Sequence, residues 1–354
     1  MSPLLISWLL AAAPVVVQAD SLKFPLGLAT GPDQALYVSE RDGHRVVRID
    51  PTSGGMRVVA GTGVPGFSGD GGPATNAQLR CPDSIDFDDA GNLYIADRCN
   101  ERLRVVEAGT GIIRTVAGNG ARGQSPDGPA LSLSLMGPFF LESASRDTLL
   151  FTDTDANLVR QVDLRSGRVS TLAGTGERGL SGDGSPALSA RLTRPHIAFR
   201  ARNGDLIIGD SFNQRIRRVD HTTGVIRTIA GNGTEGFVAD GTPALEAPFK
   251  YFGAMIELEN GDLVFDEWAG HVLVRLDQRE QRIRVLAGAQ DSTATDAEGS
   301  DPLKTRFGLL GGMVRDSVGR YYVVEPEPGR VTRIDLEKRR VETVVGPRRG
   351  TLPQ

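Results

Sequence analysis

The chain is poor in the residues on which many catalytic and metal sites depend. Its 354 residues include two cysteines and four histidines, and aromatic residues make up 6% of the sequence. A zinc site with several cysteine or histidine ligands is therefore hard to assemble. Beyond residue 17 no apolar run is long enough to cross a bilayer. No long stretch follows the 3.6-residue period of a helix, which argues against a helical repeat protein.

The sequence also lacks a concentration of positive charge. The net charge is −4, only four residues are lysine, and the arginines are spread along the whole chain. Nucleic acids and anionic membranes select for a basic patch or stripe. We therefore expect neither partner.

What the chain does have is an internal repeat. A 26-residue passage recurs six times without insertion or deletion, and successive copies begin 56 to 58 residues apart. The copies span residues 36–61, 93–118, 149–174, 206–231, 263–288 and 321–346. A fixed period of this size is typical of arrays in which each unit buries its apolar face against the next.

Each repeat predicts a small antiparallel sheet. Three runs of alternating or β-branched residues, such as LYIAD, ERLRVVE and IIRTVAG, are separated by turn sequences. A fourth run, such as PDSIDFD, precedes every copy and ends in a tight turn. Four strands repeated six times predict an all-β, six-bladed β-propeller that forms a single domain over residues 20–346, followed by a tail, residues 347–354. Since the chain starts with an innermost strand, blade 6 should pack on blade 1 without exchanging a strand.

The N-terminal sequence resembles an export signal. Residues 4–17 are apolar, and small residues at Val17 and Ala19 predict cleavage ahead of Asp20, so that residues 1–19 would be a signal peptide. The segment has no lysine or arginine, and a retained N-terminal anchor is the alternative. We expect a secreted or periplasmic protein without a membrane span once the signal is removed.

The two cysteines lie close together in the sequence. Cys81 and Cys99 flank one strand, a turn and the next strand of the second repeat. An oxidising compartment would allow them to form a local disulfide that staples a loop. Two unpaired buried thiols are the alternative.

Acidic residues recur at two positions in every repeat. One ends the first strand of the passage, at Glu40, Asp97, Asp153, Asp210, Glu267 and Glu325. The other follows ten residues later, at Asp50, Glu107, Asp163, Asp220, Asp277 and Asp335. An acid present in every blade is expected to serve the blade, by capping a strand end and pairing with arginine or backbone N–H groups. Cation binding on one rim is the functional alternative.

Loops of about twenty residues connect the blades. Their Asp-Gly turns, at Asp70, Asp127, Asp183 and Asp240, are followed by Pro-Ala. Such turns can hold calcium, but one carboxylate alone is a poor ligand set. We expect each aspartate to turn the chain and to cap a short helical turn that opens at the proline. No cofactor is expected, and calcium or another divalent ion bound at these loops is the alternative.

The motif GNLYIAD, followed by an Asn-x-Arg element and TVAG, resembles the NHL-repeat family of β-propellers. The resemblance covers about nine-tenths of the chain and is greatest to secreted bacterial members with the GFSGDGGPA loop; similar repeats occur in teneurins. Copies five and six have lost the Asn-x-Arg element. The family implies a six-bladed ring but no single activity: most members look like rigid binding platforms, and a minority of relatives are enzymes.

Enzymatic relatives place their chemistry at the mouth of the central channel. The positions that this resemblance assigns to the mouth are Leu26, Asp83, Phe139, His196, Phe252 and Gly311. Of these, Asp83 and His196 are polar, and they are the catalytic candidates. A gluconolactonase-like site needs several oxygen ligands and an amidating-lyase site needs three histidines, so neither set is complete, and we predict no metal ligands.

The sequence favours an exported, non-catalytic scaffold that binds a protein, peptide or glycan on one propeller face. The expected binding residues are the aromatics placed near that rim: Phe139, Phe140, Tyr251, Phe252 and Trp268. The alternative is a metal-assisted hydrolase or lyase with Asp83 and His196 at the channel mouth. A third interpretation is a component of an envelope assembly. We expect a monomer.

Overall fold

The computed structural model of the protein describes residues 16–17, 22–145, 147–267, 270–289 and 294–350. Six sheets of consecutive antiparallel strands form the blades of a ring. The innermost strands are β2 (Pro25–Thr30), β6 (Pro82–Phe87), β11 (Pro138–Ser145), β15 (Ile197–Arg200), β19 (Phe252–Glu257) and β23 (Met313–Arg315). The second strands are β3 (Leu36–Glu40), β7 (Leu93–Asp97), β12 (Thr148–Asp153), β16 (Leu206–Asp210), β20 (Leu263–Glu267) and β24 (Tyr321–Glu325).

The third and fourth strands complete each blade. The third strands are β4 (Arg45–Ile49), β8 (Arg102–Val106), β13 (Leu158–Asp163), β17 (Arg215–Val219), β21 (Val272–Asp277) and β25 (Arg330–Asp335). The outermost are β5 (Met56–Ala60), β9 (Ile113–Ala117), β14 (Arg168–Ala173), β18 (Ile226–Ala230), β22 (Arg282–Ala287) and β26 (Arg340–Val345). Two-residue strands, β1 (Val16–Val17) and β10 (Gly128–Pro129), add to the outer edges of blades 1 and 3. The prediction of a six-bladed, four-stranded propeller is therefore confirmed.

Short 3-10 turns are the helical elements of the described residues. Five lie in the inter-blade loops, at Ala74–Asn76, Ala130–Ser132, Ala187–Ser189, Ala244–Glu246 and Pro302–Lys304. Three follow second strands, at Arg98–Asn100, Thr154–Ala156 and Ser211–Asn213. Among the described residues, no helix has the length and apolar character needed to span a membrane.

The core is divided among the six interfaces between neighbouring blades. One apolar cluster fills each interface; between blades 6 and 1, for example, Val324 and Val331 pack with Val38 and Val47. Because successive residues of a strand point to opposite faces, each second strand contributes to two clusters and is buried along its length. This explains the β-branched and apolar composition of these strands.

The ring closes as predicted, with blade 6 packed against blade 1 and no strand exchanged. The N–H of Gly312 donates to the Leu26 carbonyl at 2.7 Å, and the N–H of Leu22 donates to the Gly329 carbonyl at 2.9 Å. Cys81 and Cys99 form a disulfide with their Cα atoms 5.4 Å apart. The expected signal peptide lies outside the described residues except for Val16–Val17.

The glycine that ends each repeat has a backbone reason to be there. Gly118 has a φ of +90°, and a Cβ atom on it would lie 2.2 Å from the Glu101 carbonyl oxygen. The other five closing glycines have φ values between +88° and +102°. Only glycine adopts this conformation without strain while the third strand passes so close.

Candidate functional site

The acids that end the second strands are structural, as the repeat predicted. All six are fully buried. Each accepts a hydrogen bond from the backbone N–H located 17 residues earlier, as Asp97 does from Arg80 at 2.7 Å and Asp210 from Thr193 at 2.8 Å. Each carboxylate thereby fixes the start of its own innermost strand. We call the face on which these strands start and the second strands end the upper face.

Arginines seven residues after the acid, which sequence reasoning missed, neutralise three of these carboxylates. In blade 2, the fully buried Arg104 lies 3.7 Å from Asp97 and 2.5 Å from Asp70 of the preceding loop. Arg160 in blade 3 and Arg217 in blade 4 make the same bridge, to Asp153 and Asp127 and to Asp210 and Asp183. The sequence did contain a signal for this bridge, since an arginine follows the strand-end acid by seven residues in these three repeats.

Blade 6 obtains the same guanidinium from another part of the chain. Arg349, in the segment that follows the last repeat, is buried and lies 2.9 Å from Asp296 of the preceding loop, while its other nitrogen bonds Glu325. Arg330 also donates to Glu325, at 2.8 Å. The expected tail is therefore bound to blade 6 as far as Gly350.

Blade 5 differs from the other five. Val272 and Val274 occupy the positions that hold arginine in other repeats. Glu267 accepts from the Lys250 N–H at 2.6 Å, and burial raises its pKa to about 7. The adjacent Asp266 accepts from the Gly253 N–H at 2.8 Å, and burial raises its pKa well above the usual value. Two buried acids of this blade thus favour the protonated form.

The aspartates of the inter-blade loops act differently from the prediction. The 3-10 turns after them have proline at the N-cap and no side-chain capping bond. Instead, Asp70 accepts from the N–H of Thr115 at 3.1 Å, and Asp240 from that of Val285 at 2.9 Å. The capping interpretation was wrong because the aspartate reaches the outermost strand of the following blade.

The two catalytic candidates are separated by other side chains. Asp83 is buried and lies 3.0 Å from Arg98 and 3.6 Å from Arg41. His196 stacks on Phe139 with the ring centroids 4.8 Å apart, and Phe139 in turn lies beneath Arg98. Burial, reinforced by Arg194 and Arg98, lowers the pKa of His196 to about 3, so that its imidazole is neutral at physiological pH.

The predicted aromatic binding residues have different surroundings. Phe139 and Phe140 line the central channel, and Tyr251 is half-buried on the upper face. Phe252 is fully buried against Phe249 and Phe265, so the expectation of an exposed anchor at that position was wrong. It belongs to the core because its strand turns this side chain toward the cluster between blades 4 and 5. Trp268 lies outside the described residues.

A group of arginines and aromatic rings lies on the upper face, beside Asp83 and Phe139 at the upper end of the channel. Three guanidiniums converge on Asp155: Arg122 at 2.5 Å, Arg194 at 3.0 Å and Arg98 at 3.9 Å. Arg194 also lies over the ring of Phe212, 4.8 Å from its centroid, and Phe212 contacts Tyr251 with centroids 4.8 Å apart. We call Arg41, Arg98, Arg122, Arg194, Phe212 and Tyr251 the mouth cluster. Sequence reasoning missed Arg194 and Phe212 because they lie 18 residues apart, before β15 and after β16, and meet only when these two strands of blade 4 pair.

Below the mouth, the innermost strands of all six blades enclose a channel of about 650 Å³. Asp86 and Glu142, at equivalent positions of blades 2 and 3, line it and accept from the N–H groups of Ser143 at 2.8 Å and Arg200 at 2.9 Å, each in the next blade. Burial raises the pKa of Asp86 to about 6 and that of Glu142 to about 8. Within the described ranges, no three histidine, cysteine, aspartate or glutamate side chains are placed to hold a metal ion.

Comparison with known proteins agrees with this architecture. Residues 27–130 match the model of the teneurin NHL domain. The human NHL repeat-containing protein 2 is 25% identical over 301 residues, which is 77% of this chain and 41% of that protein. The chloroplastic protein Suppressor of quenching 1 of Arabidopsis thaliana is 28% identical over 232 residues, 60% of this chain and 21% of that protein. The chain thus spans about two-fifths or less of these relatives.

Solved structures share the fold at low sequence identity. An auxiliary nutrient binding protein of Bacteroides ovatus superposes with a TM-score of 0.64 at 12% identity, over 91% of this chain and 70% of that one. A gluconolactonase of Xanthomonas campestris gives 0.55 at 13% identity, over 89% and 93%. In its six-bladed ring, its repeat motif and its matches to NHL proteins, the chain is similar to the NHL-repeat β-propellers.

Proposed function

We propose that the protein is an exported, non-catalytic scaffold that binds a protein, peptide or glycan across its upper face. The observation that carries this proposal is the mouth cluster, which offers guanidiniums and aromatic faces together. The side chains of Arg41 and Arg194 are 29% and 34% exposed, and Phe212 and Tyr251 are half-buried. Groups of this kind, partly exposed and already fixed in position, are favoured interface anchors.

The mouth cluster is held rigidly by its own contacts. Asp155 and Asp83 anchor the guanidiniums, and ring stacking anchors the aromatics. Little side-chain entropy is therefore lost when a ligand binds. Because three guanidiniums share Asp155, ligands with negative charge and a flat apolar face are favoured.

The carboxylates around the mouth are already committed to the fold, which favours binding over catalysis. Asp83 accepts a hydrogen bond from Arg98 and lies 3.6 Å from Arg41, and the six strand-end acids accept from backbone N–H groups. A structural neighbour carries the name of a nutrient binding protein, and this name is compatible with the proposal. Export rests on the predicted signal peptide.

One observation favours the alternative, a metal-assisted hydrolase or lyase. The His196 imidazole is neutral, the form that accepts a proton or binds a metal. The guanidiniums of Arg194 and Arg98 act on His196, however, and their positive charge disfavours a metal cation there. Titration with zinc and calcium, followed by elemental analysis, tests this alternative. If the protein binds an ion and His196→Ala abolishes that binding, the result supports the metal-assisted enzyme in place of the binding scaffold.

The binding proposal is tested with purified protein on a glycan array and in pull-downs from envelope extract. Phe212→Ala, Tyr251→Ala and Arg194→Ala should each weaken whatever ligand is captured. The control is Val318→Ala, because Val318 is an apolar residue that is 67% exposed in the turn between β23 and β24, on the opposite face of the ring. If the mouth variants and the control bind alike, the upper face is not the binding surface.

A further inference from the structure

Four rings form a continuous row on the upper face. Phe139 stacks on His196 with the ring centroids 4.8 Å apart, and His196 meets Phe212 edge-on at 5.7 Å. Phe212 in turn contacts Tyr251, with the centroids 4.8 Å apart. Phe139 and His196 are buried at the inner end of the row, whereas Phe212 and Tyr251 are half-buried. We call these four residues the aromatic row; it runs from the channel wall, across blade 4, to the start of blade 5.

Positive charge lies along the aromatic row. The guanidinium carbon of Arg98 lies 5.2 Å from the ring centroid of Phe139, and that of Arg194 lies 4.8 Å from the centroid of Phe212. Within the described residues, the four arginines of the mouth cluster form ion pairs with three carboxylates, those of Asp83, Glu101 and Asp155. Positive charge is therefore in excess here, and it favours an anionic ligand.

The loop before blade 5 extends this surface. The Tyr251 hydroxyl donates to Glu235 of that loop at 3.3 Å. The Lys250 ammonium, whose charge offsets that of Glu235, lies 4.0 Å from the ring centroid of Phe237, which is 54% exposed on the same loop. Because ring faces and cations follow one another from the channel wall to this loop, an extended ligand with repeating units fits the surface better than a compact one.

The chemistry of the upper face favours a polysaccharide over a peptide. An extended peptide gains much of its affinity from main-chain hydrogen bonds to a strand edge. Here the backbone N–H groups at the starts of innermost strands are bonded to the strand-end acids, as at Met136, Thr193 and Lys250. What the face offers is ring faces and guanidiniums. A sugar ring has a flat C–H face that packs on an aromatic ring, and a uronic acid adds a carboxylate that a guanidinium binds as a planar fork.

We propose that the aromatic row binds an extended acidic polysaccharide composed of uronic acids. Its sugar rings pack on Phe212 and Tyr251, Arg194 holds one of its carboxylates, and the chain continues toward Phe237. This assignment rests on the proposed function, because it names the class of ligand that the upper face takes.

The probe is tetragalacturonate, a linear oligosaccharide of uronic acids, titrated into the purified protein in a calorimeter. Arg194→Gln should weaken its binding about tenfold or more, because hydrogen bonds to a charged group are lost. Tyr251→Ala should weaken binding by up to about tenfold, whereas Tyr251→Phe, which keeps the ring, should bind as the unmodified protein does. Val318→Ala, on the opposite face of the ring, is the control variant and should also bind unchanged.

Two matched probes separate the sugar from its charge. The methyl ester of tetragalacturonate keeps the sugar rings without the carboxylates, and tetraglutamate carries carboxylates without the sugar rings; both should bind more weakly than tetragalacturonate. Equal binding of either probe would overturn the proposal, as would tetragalacturonate that does not bind or that binds all variants alike. A different ligand whose binding is lost in Phe212→Ala would also overturn it, while the proposed scaffold function would stand. If every captured ligand binds the mouth variants and the control alike, the proposed function fails as well.

Discussion

Arg349 offers the sharpest test of how the ring is held together. It is one of two buried arginines that bond Glu325 in blade 6, and it is supplied by the segment that follows the last repeat. Its guanidinium bonds Glu325, Asp296 at 2.9 Å and the Arg306 carbonyl at 3.0 Å. It performs for blade 6 what Arg104 performs for blade 2.

Replacing Arg349 with methionine keeps the volume and removes the charge. Breaking a buried ion pair by removing one partner typically costs about 3–5 kcal/mol. Glu325 would retain Arg330, so we expect a loss near the lower limit, about 3 kcal/mol in the free energy of unfolding. The stability of Arg349→Lys should lie between that of the unmodified protein and that of Arg349→Met. An ammonium group keeps the positive charge but cannot bridge both acids as the planar guanidinium does.

The assay is equilibrium unfolding in urea, with Arg279→Met as control because Arg279 is an exposed arginine on a turn. A loss in Arg349→Met within about 0.5 kcal/mol of the control would refute this reasoning, since surface substitutions stay within that range. Such a result would mean that Arg330 alone neutralises Glu325 and that residues 347–350 are dispensable.

Three further predictions concern buried acids and the disulfide. Because burial raises the pKa of Glu267 from 4.5 to about 7 in the folded protein, the contribution of this carboxyl to stability is lost as the pH rises through that interval. Glu267→Gln should therefore be more stable than the unmodified protein by about 3 kcal/mol at about pH 9, but not at about pH 4. Urea unfolding measures this difference, and the prediction is refuted if the free energies of unfolding of the two proteins change in parallel with pH. Glu142, with a pKa of about 8 raised by burial and by Asp86, should titrate at lower pH in Asp86→Asn, as followed by carboxyl carbon NMR; an unchanged midpoint would contradict the coupling. Replacing Cys81 and Cys99 with serine removes a disulfide that links positions 18 residues apart and should cost about 3 kcal/mol in the free energy of unfolding. Thermal unfolding of the variant is compared with that of the oxidised protein, and an unaltered midpoint would show that the disulfide is energetically neutral.

The fold was predictable from the sequence because the same pattern of strands and turns recurs in all six repeats. The second strands, from Leu36–Glu40 to Tyr321–Glu325, coincide with the runs read as first strands of the repeat passage. The structural role of the strand-end acids was also predictable, since a feature common to all blades serves all blades. The positive φ of the closing glycines gives the physical reason for the strictest position of the repeat.

The candidate site was less predictable because it depends on contacts between blades. Arg194 and Phe212 lie 18 residues apart and come together when β15 pairs with β16, and Arg194 reaches Asp155 only when blades 3 and 4 pack. The burial of Phe252 depends on which face of β19 turns toward the core, and the mixed sequence YFGAMIE does not reveal it. The role of Arg349 could not be inferred from the repeat, because it lies beyond the last copy and replaces an arginine that blade 6 lacks.

The manner of ring closure has a consequence for how such chains change. Since each sheet takes all of its strands from one continuous stretch, opening the polypeptide in an inter-blade loop, ahead of the loop segment that pairs with the next blade, divides no sheet. Circular permutants with new ends in those loops, and the old ends joined, should preserve every strand pairing. Duplication or loss of one unit in a gene likewise adds or removes a complete building block, so the repeat number can vary without a half-made sheet as an intermediate.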